Sequence, residues 1–388
     1  MWRIGVKKAL PTIKNFCKRA DMVLLSLCLT ASIFGITMIA SATSSLLNAP
    51  RYLFVQIIGL LIGLVLFVLF TVIDIDILAE RWGAIIVFEV ILALLLLTPL
   101  GYADNTGNRA WLRFGLFGIQ PSEVIKAAFI VVMAKHITYL KEFKSLNSVM
   151  SVAQLVLHCM FIVGLLVIIS KDMGSALVFL FIFFVMLFVG GLRIYWFLIG
   201  ITGIAAVFPL FWTHVLTERY RQRILSPYDS SIDPSGFDIR WQANQSKIAL
   251  ASGQLKGMGY GNGNISQSVD ALPAKQTDFI FSVIGEELGM IGCSIVILLL
   301  LAIIIRCIYV GAKSRNTMSM LVCFGVAAWL IFQTIENICM CIGIAPVIGI
   351  TLPFFSYGGS SIFSLFAAMG LVSGVKYRPK PERFRVFR

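Results

Sequence analysis

Charge is what this 388-residue sequence has least of: 13% of its residues are Asp, Glu, Lys or Arg, and only 19 are acidic. With 59% hydrophobic residues and a mean hydropathy of +0.91, it has too little polar surface to clothe a set of soluble domains. Histidine is almost missing. His136, His158 and His214 are scattered, and none stands in the His-Glu-x-x-His spacing of a zinc hydrolase. The eight cysteines (17, 28, 159, 293, 307, 323, 339 and 341) all fall in apolar runs or on the expected cytoplasmic side, where no extracellular disulfide forms. Cys339 and Cys341 point to different helix faces with no histidine nearby, so no metal site is expected. Nucleotide fingerprints are also lacking. Gly257-Met258-Gly259-Tyr260-Gly261-Asn262-Gly263 fits neither a Walker loop nor a dinucleotide motif and is expected to be a flexible loop.

What the chain has instead is long apolar runs, each near the 17 to 25 residues that a helix needs to cross a bilayer. Ten are expected, at about 22–41, 52–73, 82–98, 122–140, 152–170, 175–190, 195–212, 280–305, 318–342 and 359–375. They are continuous rather than alternating, which excludes a β-barrel. The first run imitates a secretory signal but is too long for one and is read as a retained helix. The expected fold is therefore all-α. It is a polytopic membrane protein with ten transmembrane helices and one large extracytoplasmic loop, 213–279, between helices 7 and 8. A single membrane domain spans 1–388, with basic tails at 1–21 and 376–388. Lys and Arg concentrate on the segments that share a side with the termini, so the positive-inside rule puts both termini in the cytoplasm. Basic tails beside anionic membrane lipids account for most of the +13 net charge without any nucleic acid.

In a chain this poor in acids, Pro273–Gly289 draws notice. It carries Asp278, Glu286 and Glu287 where the longest polar segment re-enters an apolar run. The loop before it contains a short amphipathic helix expected at 240–253, lying on the outer membrane surface with apolar positions 241, 248 and 249. The loop is also basic, through Arg219, Arg221, Arg223, Arg240, Lys247, Lys256 and Lys275. Either an anionic ligand or the indifference of long loops to the charge rule explains that. Ionisable residues inside spans are costly and so informative. Glu123 and Lys126, one helical turn apart after Pro121, form a structural ion pair or hold substrate phosphate. Asp172 caps the sixth span or serves the site. Glu89 and Glu336-Asn337 line an interior cavity.

Four motifs then fall into register: Ile119-Gln120-Pro121-Ser122-Glu123-x-x-Lys126; Asp172-x-Gly174; Gln276-Thr277-Asp278-Phe279-Ile280-Phe281 with Glu286-Glu287-Leu288-Gly289; and Leu352-Pro353-Phe354-Phe355-Ser356-Tyr357-Gly358-Gly359-Ser360-Ser361. Together they resemble the SEDS family (shape, elongation, division and sporulation), typified by RodA and FtsW. The resemblance covers nearly all ten spans. It implies a glycosyltransferase that polymerises lipid II on the outer face of the bacterial cytoplasmic membrane, beside a class B penicillin-binding protein that cross-links the product. It also implies Asp278 as the catalytic residue, a general base or a carboxylate that positions a cation. Lys126, Glu123, Trp111, Arg109, Asp172, Ser356 and Ser360 would be substrate-binding. Three positions depart from the family pattern: Ala110 stands directly before Trp111, Lys171 before Asp172, and Gln276 where His or Arg is common. A base and positive charge near the leaving diphosphate suit this chemistry, with a divalent cation as an optional helper. The sequence offers no compact metal-ligand motif for that cation. A lipid transporter, or a scaffold without catalysis, remains the alternative from another class. Gln245-Ser246-Lys247-Ile248-Ala249 and Gly263-Asn264-Ile265-Ser266-Gln267 are similar to the elongation members rather than the division members.

Overall fold

The computed structural model describes residues 13–102, 109–115, 117–214, 216–314 and 316–378. Of the basic residues on the segments expected to be cytoplasmic, Arg3, Lys7, Lys8, Arg315, Lys380, Arg383, Arg385 and Arg388 lie outside the described residues. The chain folds as α1 (Ile13–Arg19), α2 (Met22–Thr43), α3 (Ala49–Val72), α4 (Ile75–Glu80) and α5 (Trp82–Leu94). A small antiparallel sheet follows, β1 (Gly101–Tyr102), β2 (Trp111–Phe114) and β3 (Phe117–Ile119). Next come α6 (Pro121–Phe143), α7 (Val149–Ser170), α8 (Met173–Gly190) and α9 (Ile194–His214). The long loop holds α10 (Glu218–Leu225), α11 (Trp241–Gly253) and α12 (Asn264–Gln267), and α13 (Ile280–Ala312), α14 (Thr317–Cys341) and α15 (Gly359–Tyr377) complete the bundle.

Eight of these helices are long and apolar enough to cross a membrane: α2, α3, α7, α8, α9, α13, α14 and α15. The third expected run is the shorter apolar helix Trp82–Leu97. The fourth is α6, which has 23 residues and carries Glu123, Lys126, Lys135, Lys141 and Glu142. Local chemistry sets the starts. Asp21, Ser148, Asp172 and Asn316 each accept a backbone N–H at the head of α2, α7, α8 and α14, and Pro stands in the first turn of α3 and α6. Small residues let backbones approach, as where Gly59 and Gly63 of α3 lie against Gly359 and Phe366 of α15. By contrast α9 is almost wholly exposed, with Phe197 packed on Phe184 and Phe188 of α8.

Two loop expectations change. The stretch 257–263 is laced to α13 rather than flexible, because α13 breaks at Gly289 (φ 66°, ψ −163°). The break frees carbonyls of the preceding turn and N–H groups after it, which must find partners. Met258 and Gly259 donate to the Glu286 and Glu287 carbonyls, and Met290 donates to the Gln254 carbonyl, each at 2.9 Å. A Cβ on Gly257 would stand 2.2 Å from the Glu287 carbonyl oxygen, so the approach requires glycine. The helix expected at 240–253 is α11, but it docks on α13 and α14 through its small residues. Ser246, Ala249 and Gly253 are buried, while Ile248 is exposed. The Ser246 hydroxyl lies 2.5 Å from that of Ser282 and donates to the Cys341 carbonyl at 2.7 Å.

Candidate active site

Asp278 precedes α13, half-buried, at the end of the bundle from which α6, α8 and α15 also start. Neighbouring backbone is locked on both sides. Asn337 of α14 donates through Nδ2 to the Asp278 carbonyl and to the Ile350 carbonyl, both at 2.7 Å. Ser356 donates to the Thr277 carbonyl at 2.6 Å and accepts from Leu352 N, while Tyr357 N donates to the Gln276 carbonyl at 2.8 Å. Gln56, a fully buried glutamine on α3, completes the clamp by accepting from Gly358 N and donating to the Ser356 carbonyl. The Gln-Thr-Asp and Ser-Tyr-Gly-Gly motifs are thereby one interlocked unit.

A second chain of bonds joins the other motifs. Ser360, buried in the first turn of α15, accepts from Gln120 N at 3.2 Å, and Gln120 Nε2 donates to Asp172 Oδ2 at 3.1 Å. Asp172 also accepts from Ser175 N and Ser175 Oγ, at 2.9 and 2.6 Å, so the capping expected of it is realised. The two acids flank one short segment. At Gly174 a Cβ would meet the Ile348 carbonyl at 2.9 Å, and at Gly349 a Cβ would lie 3.4 Å from Asp278 Oδ2. Bulk at Gly174 would push α8 away from this segment, whereas Gly349 leaves Asp278 in ordinary contact with it.

Glu123 and Lys126 pair at 2.6 Å with Lys126 fully buried, its Nζ 4.6 Å from the Trp329 ring centroid. Asp172 lies within electrostatic reach of Lys126. Arg109 turns into its own hairpin, donating to the Gly101 and Thr98 carbonyls at 3.3 and 3.4 Å, and Trp111 packs over Gly118. Glu336, also buried, is within electrostatic reach of Asp278 and has no hydrogen-bond partner among the described residues. No group of three His, Cys, Asp or Glu side chains suited to a metal ion converges among the described residues.

Glu286 and Glu287 are saturated by the loop. Glu286 accepts from Ile265 N and Ser266 N at 2.8 and 2.7 Å, and Glu287 accepts from Ser41, Ser266, Gln267 and Gly261 N. Lys275 lies against them, donating to the Ser266 and Ser268 carbonyls. Burial pulls its pKa down, opposed by the two glutamate charges. Sequence reasoning missed Gln56 altogether and left Asn337 as a lining residue. The one signal for either is an uncharged amide inside an apolar run.

Residues 20–380 match the model of the FtsW, RodA and SpoVE family, described as cell cycle proteins. The chain is 31% identical over 376 residues to the probable peptidoglycan glycosyltransferase FtsW of Wigglesworthia glossinidia brevipalpis, covering 95% of this chain and 96% of that protein. It is 33% identical over 298 residues to the peptidoglycan glycosyltransferase MrdB of Escherichia coli, covering 76% and 78%. Among solved structures it resembles a chain from a study of how a peptidoglycan synthase complex coordinates polymerization and crosslinking. That match has a TM-score of 0.76 and 27% identity, covering 95% of this chain and 99% of that one. With the family matched along nearly its whole length and its motifs meeting at one end of the bundle, the chain belongs to the FtsW, RodA and SpoVE family, the SEDS proteins.

Proposed function

We propose that this protein is a peptidoglycan glycosyltransferase that polymerises lipid II at the outer face of the cytoplasmic membrane. The observation that carries this reading is the locking of the Asp278 backbone between α14 and the 350–357 segment, with its carboxylate facing Gly349. Asp278 takes the proton from the acceptor sugar's 4-hydroxyl as that oxygen bonds to the donor's anomeric carbon. The bond from that carbon to the lipid diphosphate breaks, and the diphosphate leaves. Arg240 and Lys247 line a recess with Gly343, Ala345 and Val347, next to the segment that faces Asp278, and are the cations assigned to the departing phosphates. Lys126 and Glu123 act from within the bundle as a fixed pair. Asp172, Ser356, Ser360, Arg109 and Trp111 hold the shape around the substrate. The described residues do not make a dedicated metal centre.

The termini are assigned to the cytoplasm, the 213–279 loop to the outside, and 1–388 to one membrane domain. The elongation role is favoured by Gln245-Ser246-Lys247-Ile248-Ala249, and the division role is the alternative. A class B penicillin-binding protein is the proposed partner, in keeping with a structural neighbour that belongs to a complex coupling polymerization to crosslinking. Purified protein, alone and with that partner, is to be given lipid II. Glycan polymer is expected from the wild type, with a drop of about 10²–10⁴ in rate for Asp278→Asn at unchanged thermal stability. Wild-type polymerisation by that variant would remove Asp278 as base, and lipid translocation without polymer would favour the transporter reading.

A further inference from the structure

At the end of the bundle away from Asp278, the last turns of α13 and α15 enclose a recess of about 360 Å³, within the size range of small-molecule sites. Arg306, Lys313 and Lys376 converge on it, with Tyr309 at its side and Val310 and Val375 as apolar wall. Among the described residues one acid answers two of these three cations. Asp21, fully buried behind the recess, accepts from Arg306 Nε and an Arg306 terminal nitrogen at 2.8 and 2.9 Å, and from Lys376 at 3.4 Å. It also accepts from Leu24 N, so its lone pairs are used. Lys313 bonds the Tyr309 hydroxyl and pairs with no acid among the described residues. Lysines at helix ends are ordinary dipole partners, but a dipole does not gather the ends of two helices around a concave pocket.

The surface leading to this recess identifies what fits it. On α13 the residues Ile291, Ile295, Leu298, Leu301 and Ile305 are all exposed, at spacings of three or four, so they form one apolar stripe along a single helix face. Tyr309, also exposed, continues that stripe to the recess and stands where interfacial tyrosines sit in membrane helices. An apolar track that ends in a cationic pocket matches a molecule with acyl chains and a phosphate head.

We propose that the recess between α13 and α15 binds the phosphate of an anionic phospholipid whose acyl chains lie along the exposed face of α13. The lipid is a ligand of the bundle, separate from the substrate site at the opposite end. The test is native mass spectrometry of the full chain, released from detergent after mixing with phosphatidylglycerol or phosphatidylcholine. Phosphatidylglycerol is expected to be retained about thirtyfold better, the ratio for two basic contacts of juxtamembrane strength. Lys313→Gln with Lys376→Gln should erase the preference, and Lys313→Arg with Lys376→Arg should keep it. Both double variants should polymerise lipid II at the basal rate. Equal retention of the two lipids by the wild type would overturn the proposal, as would a preference that survives the glutamine pair. Displacement of the lipid by an equal concentration of inorganic phosphate would overturn its assignment to a phospholipid.

Discussion

Asn337 bridges two backbone carbonyls, that of Ile350 and that of Asp278, the second of which also accepts from Cys341 Sγ at 3.7 Å. Asn337→Leu keeps the volume and removes both amide bonds, so a loss of about 1–3 kcal/mol is expected in thermal unfolding. Since Asp278 moves with its backbone, steady-state kinetics should register a fall in kcat with KM little changed. The Glu123–Lys126 pair obeys different arithmetic. Glu123→Gln strands a buried ammonium and should destabilise the protein by about 3–5 kcal/mol, whereas Glu123→Gln with Lys126→Met should recover most of that. Polymer formation by the double variant then separates the two roles: restored activity marks the pair as structural, and lost activity marks a use in the reaction. The acids and lysines of the site were legible in the sequence, because charges in an apolar run are rare enough to stand out. The amides were not. Nothing local tells a clamping Asn337 or Gln56 from one that merely faces a neighbour, and the Asn337 contact with Asp278 spans 59 positions of chain.

At the scale of elements, the break in α13 decides how the long loop is held. Gly289 sits at φ 66°, and a Cβ there would stand 2.4 Å from Gly257 N. Gly289→Ala therefore combines left-handed strain of about 1–2 kcal/mol with a backbone clash. Expected results are a lower melting temperature and faster amide exchange at Met258, Gly259 and Met290, with exchange in the distant α3 and α15 unchanged. The glycine-rich stretch and Glu286-Glu287 were visible as motifs, yet their connection was not. It depends on which backbone groups the break leaves unpaired, and no side-chain pattern announces that. The position of α11 was legible to within a residue from its polar start and glycine stop, but its buried face was misread. Packing between closely approaching helices selects small side chains over apolar ones, so Ser246 and Gly253 go inward and Ile248 stays out. The three strands before α6 were absent from the reading altogether, being two to four residues long.

Across the whole molecule, Asp21 ties the head of α2 to α13 and α15. Its partners Arg306 and Lys376 lie on α13 and α15, and its own backbone N–H donates to Ser373. Burial by itself would raise the Asp21 pKa, but the Arg306 and Leu24 hydrogen bonds and the two nearby cations outweigh it and hold the pKa below its ordinary value. The folded carboxyl thus ionises more readily than the unfolded one. Its contribution to stability is complete above about pH 4 and is lost as pH falls through the lowered folded value. Thermal unfolding followed from pH 7 into the acid should show that loss in the wild type, and Asp21→Asn should lower stability near neutrality while flattening the acid limb. By itself the sequence determined the solvent, the placement of the apolar helices, the segment rich in acids and the family motifs, because each is a property of composition or short spacing. Tertiary structure alone decided which motifs touch, which acids are consumed by the loop and which backbone carries Asp278. Those outcomes rest on hydrogen bonds between groups far apart in the chain, and in a membrane interior such groups must find each other because no water is there to replace a missing partner.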